Sequence, residues 1–203
     1  MFALVDKSDN SITKILSGRK GLTLGDTQYP KAIFNLWSEA ERNAINIYTI
    51  TIDNSKRKDE TWYMNTNLTY AFDGTNATGS YGDATAKAHA DTLFSAQDET
   101  DGLGTEGDVK TEGLKTILIR QVKNNAEREL NKTDWYVTRK AEKNTAIPSA
   151  ITTHRDAVRT KQASMETAIT NASDTPALET LYTYTRQEDG STTRPLGEIP
   201  ELN

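Results

Sequence analysis

Few residues in this sequence have the types and spacing that support chemistry. Gly102-Leu103-Gly104-Thr105-Glu106-Gly107 spells G-x-G-x-x-G. In a dinucleotide site, such glycines turn a strand into a helix and bring backbone N–H groups to a pyrophosphate. Here Asp98, Glu99 and Asp101 precede the glycines instead of an apolar strand, and their carboxylates would repel phosphate. The same acids are oxygen ligands of the kind calcium takes, but they lack EF-hand spacing, so a solvated acidic linker is the simpler reading. Ser11-Ile12-Thr13-Lys14 matches S-x-x-K without its companion motifs. His89 and His154 stand far apart, with no metal-ligand spacing. Thr153-His154-Arg155-Asp156 is close to a kinase catalytic loop, but no phosphate-covering glycine loop and no D-F-G accompany it. Glu39/Glu41 and Asp98/Asp101 are local carboxylate pairs with no sign of the cleft that glycoside hydrolysis needs. Cysteine is absent, which removes disulfides, thiol nucleophiles and Cys-ligated zinc. The sequence therefore predicts no catalytic, cofactor-binding or metal-binding residues, and no enzyme.

The elements that would position any site fall into two halves. Phe2–Val5 and Ile12–Leu16 flank a polar turn and predict a hairpin. Tyr29-Pro30 is an extended or turn dipeptide. Ser38-Glu39-Ala40-Glu41 is a capping box that predicts a helix over 39–44. Ile33, Phe34, Leu36 and Trp37, just before it, read as core or as a hydrophobic staple. Ile47–Asp53 alternates as a strand, and Thr61–Phe72 reads as another. Asp73-Gly74 then turns the chain back toward Thr75–Tyr81. Between these, the Lys56-Arg57-Lys58 triplet reads as part of a solvated loop. Residues 1–82 are thus expected to form a small antiparallel sheet domain with one short helix.

Residues 83–108 read as a linker, with a short alanine-rich helix over 84–94. From Val109 the period becomes helical: Leu114, Ile117, Leu118, Val122, Ala126 and Leu130 form one stripe. Thr133-Asp134 offers an N-cap for a short helix ending near Glu142. Pro148 suits the first turn of the next helix. There Ile151, Val158, Met165 and Ala172 recur every seventh residue, which fits either a coiled-coil-like seam or an intramolecular helical hairpin. Pro176 ends that pattern, and a last helix is expected over 177–184. Residues 109–185 thus read as a helical hairpin or short bundle, and residues 186–203 as an extended tail lying along a neighbour. The fold class is α+β.

Composition narrows the function classes. Hydrophobic residues make up 35% of the 203 and mean hydropathy is −0.69, which is sparse for a large core. Proteins of this kind draw stability from partner surfaces, including further copies of themselves. The net charge of −5, with both signs dispersed, does not suit nucleic-acid binding. No apolar run reaches membrane-spanning length. The N-terminus lacks a signal-peptide pattern, so synthesis in a cytoplasm is expected, and the four Asn-x-Ser/Thr sites read as chance.

Thr133-Asp134-Trp135, then Ile147-Pro148, then His154-Arg155-Asp156-Ala157-Val158-Arg159 resembles a helical module of tailed-bacteriophage tail proteins. That module carries T-D-W, a spacer, a proline-started helix and a Y-R-x-x-L-R-like run. His154 stands where the module usually has tyrosine. The opening ALVDKSDNSITKI, with Tyr29-Pro30 and Trp37, also resembles the N-terminal sheet of such proteins. The resemblance implies a non-enzymatic structural component of the virion, in the tail or baseplate, adapting fibre to tail, or alternatively a tail-fibre assembly chaperone. Its implied partners are other tail, baseplate or fibre proteins and further copies of itself, with no nucleic acid, membrane or cofactor. Trp135, Arg139, Arg155, Arg159, Trp37 and Tyr29 are the expected packing or interface anchors: Trp135 is expected to wedge between helices, and the arginines to pair with Asp134, Glu142 or Asp156.

Overall fold

The computed structural model describes residues 1–202. The chain is α+β and divides into two compact units, the first spanning Met1–Thr85 and the second beginning at Ala86. No helix among the described residues is long and apolar enough to cross a membrane.

In the first unit, β1 (Phe2–Asp6) and β2 (Ser11–Leu16) form an antiparallel hairpin. Its turn is closed by Asp6 and Asp9, which accept the N–H groups of Ser8 and Ser11 at 2.9 Å. A tight second hairpin follows, β3 (Leu22–Leu24) and β4 (Thr27–Tyr29), turning at Gly25 with φ 57°. After α1 (Ile33–Leu36), helix α2 spans Glu39–Ala44, the range its capping box predicts. Ser38 N–H donates to Glu41 Oε2 at 2.7 Å, while Glu41 N–H donates to Ser38 Oγ.

Strand β5 (Ile47–Asp53) pairs with β1 on one side. Short β6 (Tyr63–Met64), β7 (Thr69–Phe72) and β8 (Ala77–Ser80) complete the unit's strands. The main sheet runs β2-β1-β5-β8-β7. Its β5–β8 pairing is parallel, so the sheet is mixed, not wholly antiparallel as expected. The long excursion over 54–76 returns through the β7–β8 hairpin, and β8 takes the inner place. The expected strand over 61–72 is broken because Asn65 pairs sideways: its side chain accepts from Lys58 N–H (2.9 Å) and donates to Lys58 O (2.8 Å). Each face of β1 packs its own core. Ala3 and Val5 meet Tyr48, Ile50, Phe72 and Ala77, whereas Phe2 and Leu4 meet Leu16, Ile33, Phe34 and Ile47.

Residues 83–108, expected to be a linker, carry strands and a helix of their own, and the alanine-rich stretch is not a helix. Strand β9 (Thr85–Ala86) spans the division. Strand β10 (Thr92–Leu93) pairs with β11 (Val109–Thr111) around α3 (Ala96–Thr100). The preceding carbonyls of Ala88 and His89 accept the N–H groups of Leu114 and Lys115 at 3.0 Å, supplying partners for the first turn of α4 (Leu114–Asn131). Asp91 completes this long-range cap, accepting from Gly113 N–H (2.6 Å) and Thr116 Oγ1 (2.8 Å). Gly113 is required there, since a Cβ would lie 2.3 Å from the Ala90 carbonyl.

Helix α4 packs along α6 (Ser149–Asn171) within the chain, which makes the seam intramolecular here. Leu118, Val122 and Ala126 are buried on α4, and Ile151, Val158, Met165 and Ile169 on α6. Between them, α5 (Asp134–Lys143) ends at Asn144 in the left-handed conformation. Helix α7 (Thr175–Tyr182) is capped by Asp174, which accepts Ala177 N–H at 2.8 Å. Pro176 sits in its first turn, so the last helix follows the end of the seven-residue pattern as expected and begins two residues earlier.

The terminal segment is not an extended tail. It forms β12 (Thr185–Arg186) and β13 (Thr192–Thr193), then folds back over its own unit. Leu196 is 2% exposed, its N–H donating to Leu181 O.

A candidate partner-binding surface at the α4–α5–α6 joint

The T-D-W and H-R-x-x-V-R segments meet at the end of α4, where Arg155 on α6 is buried. Its Nη1 donates to Leu130 O (2.8 Å), Thr133 Oγ1 (2.7 Å) and Asp134 Oδ1 (2.7 Å). A guanidinium suits this place because it stays charged and presents several donors at fixed angles. Thr133 is fully buried and does not cap α5 with its side chain, contrary to expectation. Its hydroxyl instead donates to Leu130 O at 2.9 Å while accepting from Arg155. That single carbonyl thus ties the end of α4 to both α5 and α6.

Beside this joint lies Glu129, only 5% exposed. Its carboxylate accepts a short hydrogen bond from Lys132 Nζ and the Leu202 N–H at 2.8 Å. These bonds, led by that from Lys132, hold its pKa below the usual carboxylate value against the opposing effect of burial. His154 Nε2 lies 3.2 Å from Glu129 Oε1 with no hydrogen bond between them. The carboxylate thereby fastens the terminal segment to α4.

Helix α5 leaves this joint with no buried residue. Trp135 does not wedge between helices: it is 53% exposed. Its ring lies 3.9 Å from that of Tyr136, and the Arg139 guanidinium sits 4.6 Å over the Trp135 ring. Val137 is also exposed. The stack orders three side chains favoured at interface centres, with Tyr136 and Arg139 half-buried and Trp135 exposed beside Val137. A helix this short is marginal in water without packing, so an unburied face of this composition suits a partner.

The remaining anchors are ordinary. Arg159 is exposed and pairs with Asp156 one turn away at 3.3 Å. Tyr29 and Trp37 meet edge-to-face at 5.9 Å in the first unit's core. Among the residues weighed for chemistry, Asp98 is used by Lys110 and Ser95, Asp101 by Gln97, and Glu99 by the Glu106 N–H. Gly102 and Gly107 have positive φ, and Gly104 makes room for the Phe94 ring, so the glycine motif shapes a return to β11 and opens no helix. No group of three or more His, Cys, Asp or Glu residues able to hold a metal occurs among the described residues.

Sequence reasoning missed Glu129, Tyr136 and Asp91, and it named Thr133 as a cap and not as the buried bridge it is. Glu129 had a signal: it stands three residues after Ala126, at a stripe position where a carboxylate must find partners. Asp91 had none, since the helix it caps begins more than twenty residues later. No protein-family model matches this chain, and neither a curated protein nor a solved structure does.

Proposed function

We propose that this chain is a non-enzymatic structural component of a tailed-phage virion, placed in the tail or baseplate, where it joins fibre to tail. The observation that carries a binding role is the exposed Trp135, stacked with half-buried Tyr136 and Arg139 on α5, a helix with no fully buried residue. The T-D-W and H-R-x-x-V-R resemblance supplies the phage assignment, and it coincides with the residues of the Arg155 joint that sets the direction of α5. Sparse apolar content agrees with a chain completed by neighbours.

Exchanging the exposed aromatic separates partner binding from packing. Trp135→Ala is expected to change the stability of the free chain by less than about 0.5 kcal/mol, as for other exposed positions. The same change is expected to lower incorporation into particles at least tenfold, the loss that an interface anchor of about 1.4 kcal/mol or more produces. Quantifying the variant in purified particles, beside a denaturation curve of the free protein, measures both. Normal incorporation of the variant would remove α5 as the binding face.

A further inference from the structure

We infer that the first unit carries a docking groove for an acidic, aliphatic segment of a partner protein. The groove, of about 620 Å³, lies between the β1–β2 hairpin and β3. Leu4, Leu16, Leu22 and Phe34 contribute its apolar lining, with half-exposed Ile15 beside them. Lys14, Arg19 and Lys20 line it too, and no carboxylate does.

The charge pattern identifies the occupant. Elsewhere in this unit, Lys56 pairs with Asp83 and Arg57 with Glu60, and Lys7 and Lys58 lie over tyrosine rings. Among the described residues, Lys14, Arg19 and Lys20 have no ion pair. Three cations with no ion pair thus border one apolar groove that no carboxylate lines, in a chain whose net charge is −5, while Lys31 and Arg42, also without an ion pair among the described residues, lie outside it. A segment with aliphatic side chains for the floor and carboxylates for the rim satisfies both features. Nucleic acid fits less well: Phe34 is buried and offers no face for base stacking, and three cations are a short footprint for a phosphate backbone.

The groove wall is built to hold its shape. Gly18 has φ +70°, and a Cβ on it would come 3.0 Å from the Phe2 ring and 3.4 Å from Phe34. At Gly21 a Cβ would lie 2.4 Å from Tyr29 O. Both glycines let the cationic loop lie against the core and against β4, so its position is set before anything binds, which lowers the ordering cost of association. This docking role stands whether or not the chain belongs to a phage tail.

The test uses the full chain and short fluorescein-labelled peptides followed by anisotropy. The acidic probe alternates glutamate with leucine, and its neutral counterpart replaces each glutamate with glutamine. Saturable binding of the acidic probe is expected, at least about tenfold tighter than the neutral one, and weakening as salt rises from roughly 0.05 to 0.5 M. Lys14→Gln, Arg19→Gln and Lys20→Gln together should abolish that difference, whereas Lys14→Arg with Lys20→Arg should keep it. All of these positions are exposed, and circular dichroism checks the fold. Absence of saturable acidic-probe binding, equal affinity for the neutral peptide, or unchanged affinity in the glutamine variant would each overturn the proposal. Tighter binding of a single-stranded oligonucleotide of matched charge would assign the groove to nucleic acid instead.

Discussion

Removing the Arg155 side chain should separate the α4–α5–α6 joint more than any other single change in the helical unit. Arg155 is 8% exposed and its Nη1 reaches three acceptors. Two of them, Leu130 O and Thr133 Oγ1, belong to the buried joint. A charge-assisted bond contributes about 1.5–3 kcal/mol. The low end applies here, because Leu130 O keeps the Thr133 hydroxyl and N–H as donors. Those two bonds therefore account for about 3 kcal/mol. The Asp134 side chain is 52% exposed, so its ion pair with Arg155 adds at most about 1 kcal/mol. Arg155→Ala should thus cost about 3–4 kcal/mol in urea denaturation followed by far-UV circular dichroism, which reports mainly α4 and α6. Thr133→Val, which removes one acceptor, should cost about 1–1.5 kcal/mol. Combining the two should show a coupling of about 1 kcal/mol, because both act on one bond. A loss below about 1 kcal/mol for Arg155→Ala, or strict additivity in the double variant, would refute the joint as described.

Three further outcomes follow from the geometry. Leu196→Ala should cost about 2–3 kcal/mol, since the residue is 2% exposed, and should speed amide exchange at Leu202; an exposed extended tail would show neither change. Gly113→Ala should destabilise the helical unit by about 2 kcal/mol or more and raise exchange at Leu114 and Lys115, because a Cβ there meets the Ala90 carbonyl that lies beside the cap of α4. Glu129 gives an acid-side signature. Its folded pKa lies below the ordinary 4.5, so its contribution is present in full above that value and is lost as pH falls through the lower folded value. Glu129→Gln should flatten that part of the stability–pH curve between about pH 5 and 2, as measured by urea midpoints.

The elements visible in the sequence were those whose signals are local. Ser38 and Glu41 lie three residues apart and satisfy each other's N–H groups, so their pattern located α2 to the residue. The β1–β2 hairpin and the β5 alternation were legible for the same reason: their apolar residues mark a face by period alone. Elements that depend on distant chain were not legible. Ala84–Phe94 has helix-forming composition, but two of its carbonyls and Asp91 are used by α4. The parallel β5–β8 pairing depends on where a long excursion returns, which no local pattern records. The terminal segment has the composition of an unpacked tail, and the buried Leu196, its N–H bond to Leu181 O and a bond to Glu129 keep it on its own unit.

The candidate surface was legible in part. Trp135, Arg139 and Arg155 stood out by type, and the structure separates their roles. Arg155 is buried in the joint, whereas Trp135 is exposed with the half-buried Arg139 guanidinium over its ring. Spacing alone could not distinguish these, because α5 has no fully buried residue and its direction is set by a hydroxyl, a carbonyl and a guanidinium on three segments.

Counting copies of this chain in purified phage particles tests the proposed structural role most directly. Quantitative mass spectrometry of intact tails is predicted to find the protein at a whole-number multiple of the tail symmetry. Its absence from the particles would contradict the account, and a trace amount would contradict it in favour of an assembly chaperone.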